Sequence, residues 1–114
     1  MDESEIAPSE LKRRMDSGDR FALLDVREDF ERDYCSIVAP PGVDDYHIRM
    51  DEIPARFEEI ASIAGPVVVY CHHGVRSRMV QLWLAQRGVS GVLNLDGGID
   101  AWSLQADRTV PRYM

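Results

Sequence analysis

Cysteine is scarce in this chain of 114 residues, present only at Cys35 and Cys71. Two thiols are too few for the disulfide framework that staples small secreted domains, so at least one of them is expected to be reactive or simply buried. Positive charge is also short: 13 Lys and Arg stand against 20 Asp and Glu, for a formal net charge of −7. That balance argues against a nucleic-acid partner, because phosphate binding depends on clustered cations. A small anion could still be held in a local basic pocket. Long apolar runs are missing, so nothing approaches a membrane span of about 20 residues. The opening MDESEIAPSE has neither the basic nor the apolar region of a secretory signal. A soluble, cytoplasmic protein with no membrane contact is the expectation. Repeats and low-complexity tracts are lacking, and so are the CxxC and HxxxH pairs that would suggest zinc.

What is present is an alternation of helical and strand patterns. At 45% hydrophobic, the chain can bury an ordinary core, and its length predicts one domain, residues 1–114. PSELKRRMDS (8–17) predicts a short helix over the sheet edge, with Pro8 at its entry and Gly18 as its stop. The run FALLDV (21–26) predicts a buried strand ending in charge, and EDFERDY (28–34) a turn or two of helix with Phe30 and Tyr34 facing inward. Residues 35–50, with Pro40-Pro41-Gly42 at their centre, read as a turn flanked by brief strands. DEIPARFEEIASIAG (51–65) predicts the clearest helix, burying Ile53, Phe57, Ile60 and Ala64. VVVY (67–70) predicts a central strand covered on both faces, and VLNL (92–95) another. Helices are expected from about Ser77 to Arg87 and over 99–103, with Trp83 and Trp102 in the core. Strands alternating with helices imply right-handed crossovers and a parallel sheet. Ligands bind outside the carboxyl ends of such strands, where Asp25, Cys71 and Asp96 fall.

The segment CHHGVRS (71–77) holds the candidate chemistry. A thiol with a pKa near about 8.5 is only slightly ionised at neutral pH, so a useful nucleophile needs its thiolate stabilised. A strand, a loop containing Gly74 and a helix beginning near Arg76 or Ser77 would turn backbone N–H groups toward the loop's centre, at the positive end of a helix dipole. Arg76 either supplies charge at the rim or braces the loop through a carboxylate such as Asp25 or Glu28. Asp25 reads as a structural carboxylate that caps loop amides or pairs with Arg27 or Arg76.

Taken together, DVRE (25–28), VVVYCHHGVRS (67–77) and NLDGGIDAW (94–102) resemble the rhodanese-like domains, the sulfurtransferases, in order and approximate spacing. The resemblance implies a three-layer α/β/α fold with a mainly parallel four- to five-stranded sheet, a core over about 9–103 and a C-terminal tail from 104 to 114. It implies that Cys71 attacks the outer sulfur of a donor such as thiosulfate and becomes a persulfide. The sulfur then passes to cyanide or to a thiol acceptor, such as a thioredoxin-like protein. The loop residues His72, His73, Gly74, Val75, Arg76 and Ser77 would bind the anion, with Asp25 and Arg27 as structural support and no metal or organic cofactor.

Loop length bears on the nearest competitor. Cysteine phosphatases resemble this architecture with C-x5-R, whereas only four residues separate Cys71 from Arg76 here. A smaller ring suits one sulfur atom better than a phosphoryl group with its equatorial oxygens, and no general acid is nominated. Family members active on thiosulfate tend to carry basic residues beside the cysteine, where this chain has His72 and His73, largely neutral at pH 7. A persulfide relay or regulatory protein-binding module is therefore the alternative reading, and a phosphatase or arsenate reductase is a more distant one. The histidines read as lining the mouth, since neighbours in a tight loop should not both face one metal. Cys35 reads as structural, with a resolving thiol or second sulfur acceptor as the alternative.

Overall fold

The computed structural model describes residues 4–114. Five strands form one sheet: β1 (Glu5–Ile6), β2 (Phe21–Asp25), β3 (Val43–His47), β4 (Val67–Tyr70) and β5 (Val92–Leu95). Their order is β1-β5-β4-β2-β3, and every pairing is parallel. The helices are α1 (Pro8–Asp16), α2 (Asp29–Tyr34), α3 (Phe57–Ala61), α4 (Val75–Gln86) and α5 (Gly98–Gln105), with a 3-10 turn at Met50–Glu52. None of the described helices is long and apolar enough to cross a membrane.

Alternation along the strands divides the core into two layers, because successive side chains leave opposite faces of a sheet. Leu23, Val68, Tyr70 and Leu95 face one side, where they meet Leu11 of α1 and Trp102 of α5. Leu24, Val67 and Val69 face the other, against Ile60 of α3 and Val80 and Leu84 of α4. β4 is buried at all four positions, as a central strand between two helical layers must be.

The departures from the sequence reading have physical causes. β1 escapes a periodicity argument because it is two residues long. Gln81 of α4 fastens it by donating to the carbonyls of Ser4 (2.6 Å) and Val92 of β5 (3.0 Å). That use of a polar side chain explains why Ser77 and Gln81 point inward from α4 while Met79 and Leu82 are about half exposed. With β1 as the edge, α1 packs on the sheet face beside α5. The single helix expected over 51–65 is broken. Ile53 N bonds to Met50 O in a 3-10 pattern, and α3 begins only at Phe57. Pro54 supplies no N–H to carry an α-helical ladder through the segment. Ile53 and Ile60 are buried as expected, but Ala64 is exposed. Trp102 is buried, whereas Trp83 is half-buried with the Arg87 guanidinium 3.7 Å over its ring.

Helix α2 reverses its expected orientation. Phe30 and Tyr34 are exposed, and the buried residue is Glu31. Apolar pattern loses here to four hydrogen bonds that the Glu31 carboxylate accepts, described below.

Candidate functional site

The carboxyl ends of β2, β4 and β5 lie side by side, with Asp25 paired to Tyr70 and Val69 to Asn94. Cys71 follows Tyr70 directly and is fully buried. The chain then turns through Gly74, whose φ of 101° lies in the left-handed region open to glycine, and enters α4 at Val75. Helix α4 thus starts one or two residues earlier than the sequence suggested. The turn aims two amides at the sulfur: Gly74 N–H at 3.1 Å and Ser77 N–H at 3.4 Å from Cys71 Sγ. Ser77 Oγ lies 3.2 Å away and donates to Asn94 Oδ1 at 2.5 Å. Asn94 in turn donates to Gly74 O (3.2 Å), so β5 holds both the hydroxyl and the loop.

The outward-facing carbonyls of the loop are also satisfied. Ile99 N–H donates to Cys71 O at 2.9 Å and Asp100 N–H to His72 O at 3.1 Å, placing the first turn of α5 against the back of the loop. Only glycine fits at that contact. A Cβ on Gly98 would stand 2.4 Å from His72 O and 2.6 Å from Cys71 O. The sequence reading assigned the loop 96–98 to a turn. Asp96 itself is exposed, and the contribution of this segment to the site comes from Asn94 and Gly98.

Arg76 is a brace. Its two terminal nitrogens bond the two oxygens of Glu31 at 2.6 and 2.9 Å, so α2 is tied to the loop rim through a residue not among the expected partners Asp25 and Glu28. Tyr113 OH donates to the same carboxylate at 2.6 Å, and Glu28 N–H adds a bond at 3.1 Å. Burial opposes ionisation of Glu31, but the bonds from Arg76 and Tyr113 prevail and hold its pKa at about 2, below the ordinary 4.5. The bond to Glu31 pushes Arg76 up, keeping its charge.

A depressed carboxyl pKa contributes stability that is complete above about pH 4.5 and is lost as pH falls toward about 2. Glu31→Gln should accordingly cost about 1–3 kcal/mol at neutral pH, and the gap from the parent protein should narrow between those two values. Urea denaturation across that range checks it; a pH-independent gap would show that Glu31 is not ionised in the way described.

Asp25 pairs with Arg27 and not with Arg76. Both residues are fully buried, joined at 2.8 and 2.7 Å through the two carboxylate oxygens. Arg32 adds a contact to Asp25 at 3.3 Å. Burial works against the charge on Arg27, and the bonds to Asp25 outweigh it and raise its pKa. Arg27 also donates to Cys35 O (2.7 Å) and to Tyr113 OH (3.1 Å). Cys35 is buried, with its carbonyl and sulfur both turned to Arg27.

His72 is half-buried and His73 exposed, with their rings stacked at 3.9 Å. Burial, aided by His73, lowers the pKa of His72 and keeps it neutral near pH 7. His72, His73 and Asp100 each bring a donor atom to within 4.8 Å of the others. Adjacent histidines of a tight loop were not expected both to face one point; stacking of the rings brings a ligand atom of each near Asp100. Asp100 is engaged by Arg112 at 2.9 and 3.2 Å. Val75 is exposed beside the loop. Glu31, Asn94, Asp100 and Tyr113 were missed by the sequence reading; the one signal available for Glu31 was its place three residues after Glu28, the spacing of a capping box.

A thiol with two amides aimed at it, at the turn from a central parallel strand into a helix, defines a cysteine-loop α/β protein. The family is given by comparison: residues 7–105 match the rhodanese-like domain, and the chain belongs to that family. It is 33% identical over 98 residues to thiosulfate sulfurtransferase GlpE of Haemophilus influenzae (strain PittEE), spanning 86% of each chain. It is 34% identical over 102 residues to the putative sulfurtransferase YtwF of Bacillus subtilis (strain 168), spanning 90% of this chain and 92% of that one. The crystal structure of a rhodanese-like domain protein from Staphylococcus aureus superposes with a TM-score of 0.74 at 27% identity, covering 97% of this chain and 99% of that one.

Proposed function

We propose that the protein is a sulfurtransferase that carries sulfur as a persulfide on Cys71. The observation that carries this reading is the pair of amides from Gly74 and Ser77 directed at the sulfur, at the start of α4. Both N–H groups are placed to donate to the sulfur of Cys71 as it attacks and after it has taken up a second sulfur. In the thiol state the Ser77 proton is given to Asn94, leaving Ser77 Oγ to accept the S–H bond; on ionisation the hydroxyl can turn its proton to the sulfur.

With thiosulfate as donor, the thiolate attacks the outer sulfur, the sulfur–sulfur bond of thiosulfate breaks with its electron pair, and sulfite leaves. The persulfide anion remains on Cys71. Attack on its terminal sulfur by cyanide gives thiocyanate, and attack by a thiolate, for example that of a thioredoxin-like protein, gives the acceptor persulfide; both return the Cys71 thiolate. The loop residues 72–77 cradle the added sulfur, Arg76 holds the loop through Glu31, and Asp25 and Arg27 support it from β2.

A specific observation favours a second reading as a persulfide relay with little thiosulfate turnover. The Arg76 charge is spent on Glu31, and His72 beside the thiol is held neutral, so the mouth has little to attract a dianion. Comparing thiosulfate–cyanide kinetics with sulfur transfer to a protein thiol separates the two.

Intact mass after incubation with thiosulfate tests the shared premise. A gain of about 32 Da, one sulfur atom, mapped to Cys71 and removed by cyanide or dithiothreitol, is expected. No adduct from any persulfide donor on reduced protein would sink the proposal.

A further inference from the structure

Residues 107–113 follow α5 and return across the site. Asp107 starts the return by accepting from Thr109 N–H at 3.0 Å, and Val110 is buried, with its carbonyl bonded by Ser103 Oγ. Two further grips land on the Cys71 loop. Arg112 bonds Asp100, which lies 3.7 Å from His73 and whose own N–H holds His72 O. Tyr113 stacks its ring on His72 at 3.8 Å and 9°, while its hydroxyl reaches the Glu31 carboxylate that holds Arg76. Tyr113 thus bridges the first and fifth residues after Cys71 and closes the loop across its mouth. Tyr34 stands edge-on to the same ring at 5.8 Å.

The sulfur has no solvent exposure beneath this arrangement. The matched family region ends at residue 105, before the segment begins. The grip is also of a kind that can release: the Arg112 side chain is 55% exposed, and ion pairs that open to solvent on one side contribute little.

We infer that Tyr113 is a specificity-determining latch over Cys71: a small sulfur donor or acceptor reaches the thiol after a local shift of the ring, whereas a bulky one, such as a protein thiol, requires release of residues 107–113. The inference rests on Cys71 being the reacting thiol. For a bulky reactant the observed rate is the intrinsic rate multiplied by the fraction of molecules with the latch open, so weakening the latch raises that rate selectively.

Alkylation of Cys71 reads the latch without any sulfur donor, so it stands or falls separately from sulfur transfer. Parent protein, Tyr113→Ala and Arg112→Ala are treated with iodoacetamide and with a bulky maleimide conjugate, and Cys71 and Cys35 are scored separately by peptide mass. With Tyr113→Ala, Cys71 labelling by the bulky reagent should rise about tenfold, and labelling by iodoacetamide less than about threefold. Arg112→Ala, which removes only a surface pair, should give about a two- to fivefold rise for the bulky reagent. Cys35 should stay protected in both. An unchanged ratio of bulky to small labelling overturns the inference, as does a parallel rise at Cys35, which would mark general loosening. If Tyr113→Ala does not fold, Arg112→Ala decides, and no change there overturns the inference.

Discussion

Cys71→Ser is expected to abolish persulfide formation and to lower sulfur transfer by about a thousandfold or more, while the fold is kept. The serine hydroxyl does not ionise near neutral pH, so the two loop amides would have no anion to stabilise and no nucleophile would form. Structurally the change is small. The site already surrounds Sγ with the amides of Gly74 and Ser77, which can donate to an oxygen, and with Ser77 Oγ, which can accept from the serine hydroxyl, and no charge is lost from the buried network around Arg27. The measurements are transfer of sulfur to cyanide and to a protein thiol, together with intact mass and a thermal melt. Loss of both transfers with an unchanged melt supports Cys71 as the carrier. A variant that keeps more than about a tenth of the parent rate would move the chemistry to another residue. The variant does not separate a turnover enzyme from a relay, because both need the same sulfur.

Arg27→Met should have the largest effect on stability, about 3–5 kcal/mol in urea denaturation. Methionine keeps the length of the stem, so the loss is one of charge and donors. Asp25, fully buried, would retain only the backbone N–H of residue 27 and the longer contact from Arg32 at 3.3 Å. The carbonyl of Cys35 would lose the Arg27 donor at 2.7 Å, and Tyr113 OH the one at 3.1 Å. An uncompensated buried carboxylate is the costly species, so adding Asp25→Asn should recover part of the loss. A single variant within about 1 kcal/mol of the parent would show that the pair does not bear the stability assigned to it. Since Tyr113 joins Arg27 to Glu31, and Glu31 holds Arg76, the same variant should also loosen the Cys71 loop.

These two substitutions mark different depths of legibility. Cys71 was readable because an apolar run of strand length ends on it and a glycine-containing loop and a helix follow, a local pattern with few alternatives. DVRE placed Asp25 and Arg27 beside the site, but which arginine met Asp25 needed coordinates. For Arg76 the choice between brace and anion contact was open, and its partner turned out to be Glu31. Glu31 sits at the buried position of a helix whose apolar residues suggested the opposite orientation. Phe30 and Tyr34 look like the inward face only until the four hydrogen bonds to Glu31 are counted. Tyr113 lies far from Cys71 in sequence, in what looked like a plain tail. No periodicity in a tail reports that it folds back.

The sequence by itself determined the strand cores, the parallel α/β class and the strand–loop–helix that carries Cys71, because these follow from hydrophobic runs and turn residues within about ten positions of one another. Only the tertiary structure decided which charges pair, which face of α2 is buried and how the loop is closed. Those outcomes depend on buried polar groups finding partners, and each partner, Glu31 for Arg76 and Tyr113 for both Arg27 and His72, comes from a part of the chain that only the fold brings near.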